Sequence, residues 1–343
     1  MSDDGSCKQA VAGVLADRLS NGRSGISVNT GPYCKARQRL PLDQMKAAVV
    51  SVGSRLHKQS AKTWKWYGYH VMLTDATTVL MPDTLENQTA YPQQSNQKAG
   101  LGFPLVRIVA LISLTVGTIL NYSLGPYQGK QTGESSLFSQ VINSLSTGDL
   151  LMADRYYCTF AIIELLQAKG IPIVFQIHAN KTKKVDFQQG QHLGEKDHCV
   201  EWLKPKRKPV WMTEEAYADL PAKITVREFA VKGIVYVTTL LSAKKYPKTA
   251  IAALYRERWK IELDFRSIKT HMGMEMLRCK TPDMIRKEIA VFFLAYNIVR
   301  GGLAQAAMLH DKIPRQLSYK SAVQLITQAN QQIMVLTGDL LST

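Results

Sequence analysis

Four residues of the stretch Tyr255-Arg-Glu-Arg-Trp-Lys-Ile-Glu-Leu-Asp-Phe-Arg-Ser-Ile-Lys269 combine a phenol, two cations and a carboxylate at helical spacing. Tyr255, Arg258, Glu262 and Lys269 lie at offsets of three, seven and fourteen residues. At about 100° per residue they fall within an arc of roughly 60° on one helix face. A carboxylate ringed by phosphate-binding groups suits a site that holds a divalent metal and a nucleic-acid backbone together. Alternating charges on a helix usually mark only a solvated face with i,i+4 pairs. Here Leu254, Trp259, Ile261, Leu263, Phe265 and Ile268 surround the stripe, which predicts a helix buried on more than one side with its charges facing a cleft. Glu257 and Asp264 fall on the far side and are expected to be surface or ion-pair residues.

A two-metal site needs further carboxylates to bridge ions about 4 Å apart. His70-Val-Met-Leu-Thr-Asp75 is an apolar run ending in Asp, and Asp149-Leu-Leu-Met-Ala-Asp154 is another. Both read as strands. Functional groups collect at the carboxyl ends of strands in open α/β sheets, which favours Asp75 and Asp154. Asp149, at the other end of its strand, reads as a cap or turn residue.

These residues resemble a known family. Asp75, Asp154 and Glu262 look like the DDE triad of insertion-sequence transposases. Tyr255-x-x-Arg258-x-x-x-Glu262-x6-Lys269 resembles the YREK signature of the insertion-sequence-four family. Thr74–Thr84, Gly148–Tyr157, Ile261–Thr270, Leu277–Pro282 and Leu294–Arg300 agree with it, so the resemblance runs from about residue 30 to residue 310. It implies cut-and-paste DNA transposition, with Asp75, Asp154 and Glu262 binding two Mg²⁺ ions and Mn²⁺ able to substitute. It implies that Tyr255, Arg258 and Lys269 hold the DNA end and support a hairpin intermediate. The implied partners are double-stranded DNA, as terminal inverted repeats and target, and further copies of the chain in a synaptic complex. The implied location is the bacterial cytoplasm, at the nucleoid. Two rivals stay open: a DNA-binding remnant without activity, and a metal-dependent nuclease without strand transfer.

The 343-residue chain can bury a sizeable core, and its formal net charge of +16 favours a polyanionic partner. Positive charge clusters at Lys35–Arg39, Lys181–Lys184 and Lys204-Pro-Lys-Arg-Lys208. Lys204, Lys206, Arg207 and Lys208 are candidate phosphate contacts, which add salt-sensitive, sequence-independent affinity. Five scattered cysteines without a CxxC argue against a disulfide framework and suit a reducing compartment. His192, His198 and Cys199 match no common zinc spacing and read as a polar hairpin. The opening Met-Ser-Asp-Asp has no apolar core, so no signal peptide is expected. Leu105–Leu124 is too polar to span a membrane and reads as two buried strands joined by a turn.

The elements that must position these groups follow from the pattern. Residues 1–62 read as helical, and those before 30 resemble the end of a longer N-terminal domain. Strands are expected at 64–75, 77–82, within 104–124, and at 150–153 and 171–177, with a Gln/Asn/Pro-rich loop at 83–102. Helices are expected at 135–145, 159–169 and 283–308. This order, β-β-β-α-β-α-β and then a catalytic helix, is that of an α/β, ribonuclease-H-like core. The core would span 63–180 and 247–310, with a β-rich subdomain inserted at 181–246, flanking helices, and a C-terminal tail at 311–343. Trp202 and Trp211 in the insertion are expected in its core rather than stacked on an unpaired base.

Overall fold

The computed structural model describes residues 7–98, 100–178, 182 and 185–340, with side chains described to residue 329. Lys181, Lys183 and Lys184 of the second basic cluster lie outside the described residues. The strands are β1 His70–Leu80, β2 Leu105–Ser113, β3 Ile119–Pro126, β4 Asp149–Ala153, β5 Ile173–Gln176, β6 Gln191–Gly194, β7 Asp197–Leu203, β8 Lys223–Val231 and β9 Ile234–Thr238. The helices are α1 Cys7–Ser20, α2 Gly31–Arg39, α3 Leu42–Lys58, α4 Leu85–Ala90, α5 Glu134–Ser139, α6 Phe160–Ala168, α7 Glu214–Ala218, α8 Lys248–Tyr255, α9 Lys260–Arg266, α10 Pro282–Leu309 and α11 Tyr319–Leu340.

The nine strands among the described residues form one sheet in the order β3-β2-β1-β4-β5-β9-β8-β7-β6. β1 to β3 are antiparallel neighbours, and β1, β4 and β5 run parallel. Strand side chains alternate between faces, and the sheet therefore carries two cores. Val71, Leu73 and Val79 of β1 join Ile261, Phe265 and Ile268 of the Tyr255–Lys269 stretch in one core. Met72 and Ala76 face the other, with Leu137, Phe138 and Ile163 from α5 and α6. The central strands β2 and β4 are therefore almost wholly apolar, as burial on both faces requires.

Several expectations are refined. The predicted pair of strands at 64–75 and 77–82 is one strand, because Asp75 and Ala76 stay in register with Ala110 and Val109 of β2. The 83–102 loop carries α4, capped by the Thr84 hydroxyl accepting from the Asn87 N–H. The predicted 135–145 helix is α5 followed by a separate 3₁₀ turn at Ile142–Ser144. The predicted tail holds α11. Residues 191–238 extend the central sheet, since β9 pairs with β5 on one side and β8 on the other. The β2–β3 hairpin follows the sequence reading, with Gly117 supplying the left-handed conformation (φ +83°) that its turn needs.

Trp202 and Trp211 pack against the second core, and the Trp202 indole N–H donates to Glu228 at 2.7 Å. His192 and His198 face each other across the β6–β7 hairpin. α10 is long and apolar enough to cross a membrane by composition, yet it packs along α3 with Ile285, Ile289, Phe293, Tyr296 and Arg300 buried. That is the pattern of a core helix.

Candidate active site

The parallel register of β1 and β4 runs from His70 opposite Asp149 to Leu73 opposite Met152. Carried on by two residues, it sets Asp75 beside Asp154, on neighbouring strands about 4.8 Å apart. Leu73 and Met152 face the core that holds Ile261, Phe265 and Ile268. The alternation therefore turns both aspartates to that same face. Asp149 sits at the other end, buried, accepting from the Ser146 N–H at 2.9 Å and paired with His57 at 3.1 Å. It closes a turn, as its position suggested.

The segment bearing Glu262 crosses above this pair. Its path is continuous but its pitch is not: α8 ends at Tyr255, 3₁₀ geometry covers Arg256–Trp259, α9 follows, and a π-helical turn spans Ser267–His271. The single 100° spacing assumed from sequence therefore does not hold along it. Arg258, Tyr255 and Lys269 nonetheless all reach the β1–β4 end of the sheet. Arg258 donates from Nη1 to Asp75 Oδ2 at 3.0 Å and from Nη2 to Glu262 Oε1 at 3.3 Å. One guanidinium thus spans a strand carboxylate and a helix carboxylate. Its side chain is 20% exposed and that of Glu262 61%, so the bridge lies at the rim of a cleft.

The other two residues of the signature hold backbone. The Tyr255 hydroxyl, on a buried ring, donates to the Ala153 carbonyl at 3.1 Å and so fixes the strand end that carries Asp154. Burial raises its pKa above that of a free phenol, which keeps it a neutral donor. Lys269 Nζ donates to the Thr78 carbonyl of β1 at 3.1 Å, beyond the point where β4 has ended.

Asp75 accepts the Ala76 N–H at 2.8 Å, and Asp154 accepts the Tyr156 N–H at 2.8 Å. Burial raises the pKa of Asp75, and neighbouring Asp154 adds to the rise. The Ala76 N–H and Arg258 oppose it. A divalent cation would relieve that stress, because it favours two adjacent carboxylates in their charged form. Among the described residues no three Asp, Glu, His or Cys side chains converge tightly enough to hold a metal ion. The donor set still suits a hard cation: two aspartates side by side, and a glutamate joined to Asp75 through a cation, Arg258.

Of the four candidate residues in the basic loop, two are engaged. Lys204 Nζ donates to the Ala218 and Leu220 carbonyls at 3.1 and 2.8 Å, and Lys208 pairs with Glu214 at 3.4 Å. Lys206 and Arg207 are exposed. Neutralising Lys206 and Arg207 together is expected to flatten the salt dependence of DNA binding by about 0.9 units of slope per lost phosphate contact. Filter binding across a salt series checks this, and an unchanged slope would leave the loop merely solvated.

Of the carboxylates on the far side of the segment, Glu257 pairs locally with Lys260. Asp264, expected at the surface or in an ion pair, is fully buried and paired with Arg300 and Arg315. Burial raises the pKa of Glu134, which no sequence motif marked, and Asp75 and Asp154 add to the rise.

Comparison with known proteins agrees with the motif reading. A family model described as "Transposase DDE domain" matches residues 66–298. The transposase InsG of insertion sequence element IS4 from Escherichia coli (strain K12) is 26% identical over 311 residues, covering 89% of this chain and 67% of that protein. The cryo-EM structure of the piggyBac transposase synaptic complex with hairpin DNA aligns over 94% of this chain and 66% of its own, at 8% identity and a TM-score of 0.49. The Mos1 transposase paired-end complex covers 50% of this chain and 54% of its own, at 11% identity and a TM-score of 0.22. The chain thus spans about two thirds of the length of the IS4 and piggyBac proteins. With the family model matched over most of its length, the chain belongs to the DDE transposases.

Proposed function

We propose that this chain cleaves the ends of an insertion sequence and joins them to target DNA by metal-dependent phosphoryl transfer at Asp75, Asp154 and Glu262. The observation that carries the reading is the β1–β4 register, which, carried on by two residues, sets Asp75 beside Asp154, with Arg258 linking Asp75 to Glu262. The sheet order β3-β2-β1-β4-β5, with β2 antiparallel and β4 and β5 parallel to β1, supports a ribonuclease-H-like core.

The three carboxylates would hold two Mg²⁺ ions, with Mn²⁺ as substitute. Bound there, the ions supply a more acidic attacking water or 3′-hydroxyl and charge stabilisation at the leaving 3′ oxygen. The chain's own residues do the positioning. Tyr255 holds the backbone that presents Asp154, and Lys269 holds the β1 backbone beyond Asp75. Arg258 exchanges its carboxylate partners for a backbone phosphate of the DNA end, a change that its fork of donors permits. A hairpin route for the second strand fits this site, since a 3′-hydroxyl can replace water as the nucleophile. The partners are then terminal inverted repeats, target DNA and a second copy in a synaptic complex, and the working location is the nucleoid.

The test is a Mg²⁺-dependent assay on a donor plasmid carrying the element's ends. Excision and joining are expected from the wild type. Asp75→Ala, Asp154→Ala and Glu262→Ala are each expected to lose both steps while retaining DNA binding. Nicking without joining would instead mark a nuclease, and binding without either step a remnant.

A further inference from the structure

β4 leaves the sheet through Asp154, Arg155 and Tyr156, the last two in a turn. The Tyr156 N–H donates to Asp154 Oδ1 at 2.8 Å, so the backbone of Tyr156 lies against the proposed metal-binding carboxylate. Its ring reaches toward β5. It packs edge-to-face with His178, just past the end of that strand, at 6.0 Å between ring centres. β4 lies between β1 and β5, so Asp75 and His178 stand on opposite sides of Asp154.

Tyr156 is 56% exposed, although aromatic rings gain more than most side chains from burial. One exposed apolar side chain needs no explanation. This one is accompanied by a cation. The Arg155 guanidinium lies 5.7 Å from the centre of the Tyr156 ring. It is exposed and makes no hydrogen bond or ion pair among the described residues. The two cations of the Tyr255–Lys269 stretch that reach this end of the sheet are occupied: Arg258 holds Asp75 and Glu262, and Lys269 holds the Thr78 carbonyl. Arg155 can therefore take a phosphate without first giving up a carboxylate or a carbonyl. A ring and a cation side by side grip nucleic acid whatever its sequence, the ring stacking on a base and the cation meeting the backbone.

We propose that Tyr156 and Arg155 hold the DNA end on the β5 side of Asp154, with the Tyr156 ring stacked on the base next to the cut and Arg155 on the adjoining backbone phosphate. The inference rests on the metal-dependent reading of Asp75, Asp154 and Glu262, which puts the cleaved phosphate beside Asp154. The Tyr156 N–H then fixes the ring within one nucleotide's reach of that phosphate. A base offers its face only where the stack is interrupted, as it is at a nicked strand. Every base has such a face, so the contact is indifferent to sequence. The edge of contact with His178 already orients the ring, and little side-chain freedom is lost when a base arrives. The Tyr156 hydroxyl makes no hydrogen bond among the described residues, so the ring alone carries the role.

The experiment uses the full chain and a duplex carrying the element's end, nicked at the cut, with 2-aminopurine placed in turn at the positions flanking the nick. Fluorescence in the absence of divalent cation reads stacking. Single-turnover cleavage of the second strand in Mg²⁺ reads the working site. At one position the base is expected to be dim in the wild-type complex and brighter with Tyr156→Ala. Tyr156→Ala should slow cleavage about five- to a hundredfold, the range that base–aromatic stacking supplies. Tyr156→Phe and Tyr156→Trp should restore both signals. With an abasic site in place of that base, wild type and Tyr156→Ala should cleave alike. Arg155→Ala should lower the salt slope of binding by about 0.9 units, the share of one phosphate contact. If Tyr156→Ala changes neither the fluorescence at any position nor the cleavage rate, the proposal is overturned. If it slows cleavage equally on the nicked duplex and on every abasic version, the ring supports the protein rather than the DNA, and the proposal is overturned as well. Asp154→Ala tests the underlying reading separately. Wild-type cleavage by that variant would end the metal-dependent reading, while the fluorescence would still decide whether Tyr156 meets a base.

Discussion

Replacing Arg258 with Ala is expected to slow DNA cleavage by about a hundredfold or more, while the protein folds normally and binds divalent cations more tightly. The guanidinium sits 3.0 Å from Asp75 and 3.3 Å from Glu262. Without metal it neutralises both carboxylates, so it competes with any cation for the same oxygens. Removing it lifts that competition, hence the tighter binding. It also removes the group best placed to grip a phosphate beside Glu262. Phosphoryl transfer depends chiefly on positioning and on charge stabilisation, so the chemical step carries the loss. The cost in stability should be small, because Arg and Ala have similar helix propensities and a partly exposed ion pair contributes about 0–1 kcal/mol. Arg258→Lys should rescue cleavage only in part, since an ammonium cannot reproduce a two-pronged contact. Single-turnover cleavage, a Tb³⁺ titration and a thermal melt together check this. Wild-type cleavage by a normally melting Arg258→Ala protein would remove Arg258 from the site.

The residues proposed to carry the chemistry were legible because their constraints are local. An apolar run ending in Asp marks a strand end, and two such runs in a parallel pair must bring their aspartates together once the register is right. The helix stripe was legible in composition but not in pitch. The 3₁₀ and π-helical turns on either side of α9 break that pitch where α9 packs on β1 and the π-helical turn on α10, contacts that no residue spacing encodes. Lys204 looked like its basic neighbours, and only the chain folding back places the Ala218 and Leu220 carbonyls around it. The alternation in β7 and β8 announces strands, but their addition to β5 through β9 is a long-range pairing with no local signal.

Asp264 shows the opposite division of labour on the same helix, and its loss should be the most damaging to stability of any change considered for this chain. It lies two residues after Glu262 and is fully buried. Its Oδ1 accepts from the Tyr296 hydroxyl at 2.8 Å, Arg300 Nη2 at 2.7 Å and Arg315 Nη1 at 2.5 Å. Its Oδ2 accepts from Arg315 Nη2 at 2.7 Å. Arg315 also donates to the Ser113 and Leu114 carbonyls, so one carboxylate ties α9 to α10, to the segment after α10 and to the β2–β3 hairpin. Asp264→Ala would leave two buried guanidinium groups without an anion. Breaking a buried pair in this way costs about 3–5 kcal/mol. At roughly 2–4 °C per kcal/mol for large domains, the melting temperature should fall by about 10 °C. Replacing Asp264, Arg300 and Arg315 together with apolar residues of similar volume should recover much of that loss, because the penalty lies in the unpaired charge rather than in the missing contact. Glu262→Ala should do the reverse, abolishing cleavage with a melt close to wild type, since its side chain is largely exposed. Thermal melts of Asp264→Ala, the triple variant and Glu262→Ala, beside single-turnover cleavage, separate the two roles. An Asp264→Ala protein melting within a degree or two of wild type would show that the cluster does not hold α9.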